Sequence, residues 1–332
     1  MDMLVIVWSF IIVFCIAMYV ILDGFTLGTG IVLPFVRDKN QQNLVFSSIL
    51  PTWDGNQTWL VLSGAAVYGT FPIAFSFVLP TLYFPLMIMV IALLFRGIVF
   101  EFRLKATEFA VKRWDTLFSL ASFIAALMQG LIIGTFISGF TGAVKGMLIP
   151  SYHWFTGFSL YTGICLVAGY ALLGSTRLIL KTSGPLQIMM FRIAKYALIF
   201  SALLMFFFCI WAPFTNEHIK HNWFIEDPVY VLILPLGYIA SFLCCAYALG
   251  KRYDNLPYWA SVAMFAFAYL GAGYCVWPYI VPYQFTVFQA AADSKSLMFT
   301  LVGALIMIPV LLIYTGYSYR IFRGKVNEKI EY

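Results

Sequence analysis

Apolar residues run along this chain in long blocks, and polar residues are confined to short breaks between them. A hydrocarbon core about 30 Å thick is crossed by roughly 20 helical residues at 1.5 Å rise, so each block of that length predicts a membrane-spanning helix. Bounding the blocks by charge, Gly/Pro or Trp gives nine segments, at about 4–34, 57–78, 81–100, 116–138, 154–174, 190–212, 228–249, 258–278 and 298–319. The uncharged stretch from Gln57 to Phe95 is too long for one crossing and is divided near Pro80, where a backbone donor is missing. Asp227-Pro228 reads as an N-cap followed by proline at the first helical position. The pattern predicts an all-α polytopic membrane protein, one integral membrane domain over 1–332, without internal repeats or low-complexity stretches. The first apolar run lacks a basic flank and is too long for a signal peptide, so it is expected to stay in the mature protein.

Composition agrees: of 332 residues, 62% are hydrophobic and only 10% charged, which excludes a soluble globular protein. The net charge of +6 matters through its placement. Of the 20 Lys and Arg residues, only Lys145, Lys220 and Lys295 fall in the connections after segments 2, 4, 6 and 8. The other 17 fall after segments 1, 3, 5 and 7 or in the tail. Basic connections stay in the cytoplasm, so the amino terminus is expected outside and the carboxyl terminus inside. Trp8, Trp114, Trp154, Trp211, Trp259 and Trp277 lie near segment ends, at headgroup level. Basic residues form no dense patch with interleaved aromatics, so nucleic acid is not an expected partner.

Candidate chemistry is sparse. Cys15, Cys165, Cys209, Cys244, Cys245 and Cys275 all fall in apolar runs without metal-ligand spacing and read as buried free thiols. His153, His218 and His221 fall in outward connections or at their edge, so no predicted span holds a histidine at mid-depth to ligate a haem. No nucleophile constellation is visible.

Carboxylates remain. Asp23 interrupts the first block, where an ionised side chain costs about 2.5–3.5 kcal/mol on insertion scales. It serves either a function or a hydrogen bond at a kinked packing seam. Gly24-x-x-x-Gly28, followed by Gly30, lets another helix approach closely on that stretch. Asp54 begins a polar cluster with Gly55, Asn56, Gln57 and Thr58, and its spacing to Gln57 is also that of a capping box. In Leu94 to Lys105, Glu101 and Lys105 share one helical face, while Arg96 and Arg103 share the opposite one as snorkelling anchors or as something more. All three acids are placed in the cytoplasmic half, which resembles a proton-uptake mouth more than a midplane substrate cavity. A secondary transporter and a purely structural scaffold are the alternatives.

The strings Asp23-Gly-Phe-Thr-Leu-Gly28, Trp53-Asp-Gly-Asn-Gln-Thr-Trp59 and Phe95-Arg-Gly-Ile-Val-Phe-Glu-Phe-Arg103 together resemble subunit II of cytochrome bd-type quinol oxidases, including the cyanide-insensitive branch. Trp277-Pro-Tyr-Ile-Val-Pro282 and Tyr314-Thr-Gly-Tyr-Ser-Tyr-Arg320 extend the resemblance over nearly the whole chain. It implies nine helices as two four-helix bundles plus one peripheral helix, in the bacterial cytoplasmic (inner) membrane. It also implies an electrogenic quinol:O2 oxidoreductase that makes water, with the b and d, or b-only, haems and the quinol site on subunit I. This chain then ligates no haem and is not catalytic alone. Its expected partners are subunit I, which the glycine-rich side of the first helix is expected to meet, membrane lipid and quinone, and small single-span accessory subunits. Asp23, Asp54, Glu101 and Lys105 are the expected proton path, with Gly24, Gly28, Trp53, Gly55, Asn56, Gln57, Arg96 and Arg103 as packing and motif residues.

Overall fold

The first apolar block forms α1 (Asp2–Val32), which tightens into a 3-10 turn at Leu33–Phe35 as Pro34 ends the regular ladder. This is a computed structural model, and it describes residues 1–140, 153–224 and 228–326. A short helix, α2 (Lys39–Ile49), follows, capped by Asp38, whose side chain accepts from the Gln41 amide. Then come α3 (Trp53–Thr70), α4 (Pro72–Thr81), α5 (Tyr83–Leu104), α6 (Glu108–Ser138), α7 (Gly157–Lys181) and α8 (Gly184–Trp211). The chain continues through α9 (Glu217–Phe224), α10 (Pro228–Lys251) and α11 (Leu256–Val276). A hairpin of β1 (Tyr279–Val281) and β2 (Phe285–Thr286), α12 (Val287–Ala290) and α13 (Ser294–Ile321) complete it.

Among the described residues, eight helices are long and apolar enough to cross a membrane. They are α1, α5, α6, α7, α8, α10, α11 and α13, several with flanking turns. The expected segment 57–78 is instead two shorter helices in series, α3 and α4, broken at Phe71. The cause is local: a residue before proline is driven out of the helical region, and Phe71, preceding Pro72, has φ −131° and ψ 65°. A second break at Leu82 follows Pro80, close to the division expected there. Pro228 opens α10 as expected, while Asp227 and Lys145 lie outside the described residues. The strands of the hairpin were not foreseen.

Helices α6 and α7 are the most enclosed of the eight, with 61% and 67% of their apolar windows buried, against 11% for α13. They form the spine, and α7 packs on α1, α6, α8 and α11. Close approach at the spine needs glycine. A Cβ on Gly28 would lie 1.8 Å from the Tyr170 carbonyl oxygen, and one on Gly174 would lie 2.2 Å from the Gly28 carbonyl carbon. Gly24 faces the Tyr170 ring in the same seam. The glycine-rich side of the first helix is therefore closed by this chain's own α7, which corrects the expectation that it meets a partner subunit. Short backbone distances bring dispersion and weak Cα–H contacts where lipid supplies no hydrophobic drive between helices.

Candidate functional site

The three sequence strings meet at one end of the bundle. Asp23, on α1, is fully buried and accepts a hydrogen bond from Nη1 of the equally buried Arg96 on α5, at 2.9 Å. Arg96 Nε and Nη2 and Asp23 Oδ2 are buried without a hydrogen-bond partner among the described residues. Beside the pair, the Gln129 amide on α6 donates to the Tyr19 hydroxyl at 2.7 Å. Gln129 also accepts from the Tyr170 hydroxyl on α7 at 2.9 Å, so both amide atoms have a partner. Asp23 thus sits inside a polar knot joining α1, α5, α6 and α7.

Asn56, on α3, is a second knot. Its amide nitrogen donates to the Leu22 carbonyl at 2.8 Å and reaches Thr26 Oγ1 at 3.4 Å, and its oxygen accepts from the Tyr319 hydroxyl at 3.0 Å. One side chain thereby ties α1, α3 and α13. Its neighbours behave differently. Trp53 stacks on Phe100 of α5, with ring centroids 4.6 Å apart, and Gly55 abuts the Tyr314 ring. The Gln57 amide nitrogen is buried without a partner among the described residues. Asp54 is exposed in the first turn of α3 and makes no capping bond, because the helix begins one residue earlier, at Trp53. The capping-box reading of Asp54 is corrected by this start.

The faces expected for α5 are realised, but the roles of the arginines are not those of snorkelling anchors. Glu101 and Lys105 are exposed, whereas Arg96 and Arg103 point inward. Arg103 pairs through Nε with Asp115 Oδ1 of α6 at 2.5 Å, donates to Asn43 Oδ1 at 3.0 Å and covers the Phe46 ring at 3.9 Å. Stacking of Trp53 on Phe100 brings the adjacent residues Asp54 and Glu101 to the same end of the bundle.

Sequence reasoning passed over Arg177 of α7, which it counted only as a basic residue near a span end. Its guanidinium is caged by the rings of Phe25 (4.7 Å), Tyr258 (5.1 Å) and Tyr319 (5.2 Å). Its Nε has no hydrogen-bond partner among the described residues. One turn on, the Lys181 ammonium donates to the carbonyls of Phe322 and Gly324, so the tail folds over the end of α7. Three walls on α1, α11 and α13 cannot be inferred from a local pattern, and no signal in the sequence marks the cage.

No three of His, Cys, Asp and Glu among the described residues are grouped to hold a metal. His218, on α9, has Nε2 within 3.2 Å of both the Trp277 carbonyl and the Asn222 amide, and His221 is exposed. His153, outside the spans, is buried against Phe140, and desolvation lowers its pKa.

Comparisons with known proteins identify the family of this chain. The family model described as cytochrome bd terminal oxidase subunit II matches residues 4–322. The chain is similar to cytochrome bd-I ubiquinol oxidase subunit 2 of Escherichia coli K12, at 23% identity covering 99% of this chain and 96% of the relative. It is also similar to cytochrome bd ubiquinol oxidase subunit 2 of Bacillus subtilis 168, at 24% identity covering 97% and 96%. A chain of the solved bd oxidase from Geobacillus thermodenitrificans shares the fold, with TM-score 0.81, 17% identity and coverage of 96% and 98%. This chain, a multi-pass protein of the bacterial inner membrane, therefore belongs to the cytochrome bd terminal oxidase subunit II family.

Proposed function

We propose that this chain is the subunit that stabilises a haem-bearing subunit I in an electrogenic quinol:O2 oxidoreductase, and that it takes up cytoplasmic protons for water formation. All haems and the quinol site then belong to subunit I, and no side chain of this chain ligates iron. Small single-span subunits, lipid and quinone complete the complex. The chain crosses the membrane nine times, with α3 and α4 together as one broken crossing, so that the amino terminus is outside and the carboxyl terminus inside. The 17-to-3 division of basic residues supports that orientation.

One observation carries the proton reading: Asp54 and Glu101, each next in sequence to a ring of the Trp53–Phe100 stack, are both exposed at the end where the three strings converge. Protons consumed deep in a low-dielectric region travel along titratable groups and ordered water, and acids at helix ends exchange with bulk. Lys105 shares the Glu101 face. Asp23 favours a second reading for itself, that of a structural pin, because its charge is already matched by Arg96. The test is Asp54→Asn and Glu101→Gln in the purified complex with subunit I. Full haem spectra with slowed oxygen reduction support uptake through these acids; wild-type turnover in both assigns the chain to scaffolding alone.

A further inference from the structure

The caged Arg177 explains neither haem binding nor simple anchoring. A guanidinium 6% exposed, with no carboxylate among the described residues paired to it, is costly to hold, and cation–π contact with three rings offsets part of that cost. What the cage fixes is Tyr319. Its ring is one wall, set edge-to-face against Phe25 with centroids 6.3 Å apart, and its hydroxyl reaches across to Asn56. Beyond Tyr319 lies a small cleft between α3 and α13, lined by Thr52, Gly55, Asn56, Tyr314, Thr315 and Ser318 as well as Tyr319 itself. Its volume of about 10 Å³ is on the scale of one water. Asp54 stands in the same helical turn as Gly55 and Asn56, and a Cβ on Gly55 would come within 2.9 Å of Tyr314, so α13 is pressed directly onto that turn.

We propose that Tyr319, held by the Arg177 cage and bonded to Asn56, is a positioning residue that keeps the turn bearing Asp54 and its water-sized cleft in register for proton uptake. This rests on the uptake role of Asp54 given above. Tyr319 touches no reacting group. It acts through Asn56, and Arg177 acts through Tyr319.

The test uses the complete oxidase with proton uptake followed by a pH dye after oxygen is admitted, in H2O and D2O. Tyr319→Phe keeps the ring and the cage but removes the bond to Asn56. With full haem content, uptake is expected to slow by about three- to tenfold, the scale of one hydrogen bond, with a larger solvent isotope effect. Arg177→Lys, which keeps a cation in the cage, is expected to restore most of the rate that Arg177→Met loses. Asp54→Asn combined with Tyr319→Phe should be no slower than Asp54→Asn alone, since both act at one step. Additive slowing, or wild-type uptake in Tyr319→Phe while Asp54→Asn is slow, overturns the proposal. Wild-type uptake in Asp54→Asn refutes instead the function on which it rests. Should Tyr319→Phe and Asn56→Ser both lose haem, these residues serve assembly only, and the proposal fails.

Discussion

Replacing Asp23 by Asn tests whether the buried pair is a pin or a step in proton transfer. The substitution preserves shape but leaves Arg96, fully buried and already lacking partners for Nε and Nη2, with no counter-charge among the described residues. Unit charges about 4 Å apart attract by roughly 4 kcal/mol at an effective dielectric near 20. Removing one partner of a buried pair costs about 3–5 kcal/mol, because the remaining ion stays desolvated. Asp23→Asn alone is therefore expected to lower the thermal midpoint of the detergent-solubilised complex and to reduce haem recovery. Asp23→Leu with Arg96→Met removes both charges and should regain most of that loss, since apolar replacement of a whole buried pair is often neutral. Stability is read by thermal unfolding with haem absorbance, and activity by oxygen consumption. A double variant that assembles and turns over normally makes Asp23 a pin. One that assembles fully but reduces oxygen slowly restores it to the proton path. If Asp23→Asn alone unfolds like wild type, the electrostatic reasoning is wrong.

Gly28→Ala places a methyl 1.8 Å from a backbone oxygen that cannot rotate away, so α1 and α7 must separate and assembly yield should fall sharply. Gly64→Ala, with nothing within 4 Å, should leave yield unchanged, and equal yields from both would contradict the seam. Asp293 accepts from the Lys295 and Ser296 amides and from the Ser296 hydroxyl, and these bonds lower its pKa from the ordinary carboxylate value. A lowered folded-state pKa means that this cap holds above the unfolded value and is lost as pH falls through the folded one. Asp293→Ala should thus speed hydrogen exchange at the start of α13 at neutral pH and match wild type in strong acid; equal exchange at neutral pH would rule the cap out. Reporter fusions after Arg252 should be active in the cytoplasm and those after Asp293 outside, and the reverse would disprove the nine-crossing topology.

Much of the fold was legible because span-length apolarity is a local property. The opposition of Glu101 and Lys105 to Arg96 and Arg103 followed from 100° per residue alone. Which face turned inward did not, because the partners of the arginines, Asp23 and Asp115, lie on other helices. The break in the second segment is readable from Phe71-Pro72, but apolarity continues unbroken through both Pro72 and Pro80 and so does not say which of them divides the stretch. Glycine spacing on α1 correctly marked a close crossing but not its partner: spacing reports that a helix approaches, not whether it belongs to the same chain. The Arg177 cage draws its walls from α1, α11 and α13, so only the tertiary arrangement assembles it.

Four buried cations gather at the end where these strings converge, and each is compensated differently. Arg96 and Arg103 have one carboxylate each, Arg177 has three aromatic faces, and Lys181 has carbonyls of the folded-back tail. Both buried carboxylates, Asp23 and Asp115, are thereby committed to a neighbouring guanidinium. Removing either carboxylate would leave a buried guanidinium uncompensated in low dielectric. Asp54 and Glu101 are bound by no such partner among the described residues and are exposed on this chain. Pairing thus separates Asp23 from Asp54 and Glu101, which the sequence alone placed together. The paired ones tie helices together, and the exposed ones are the acids on which the proposed proton uptake stands or falls.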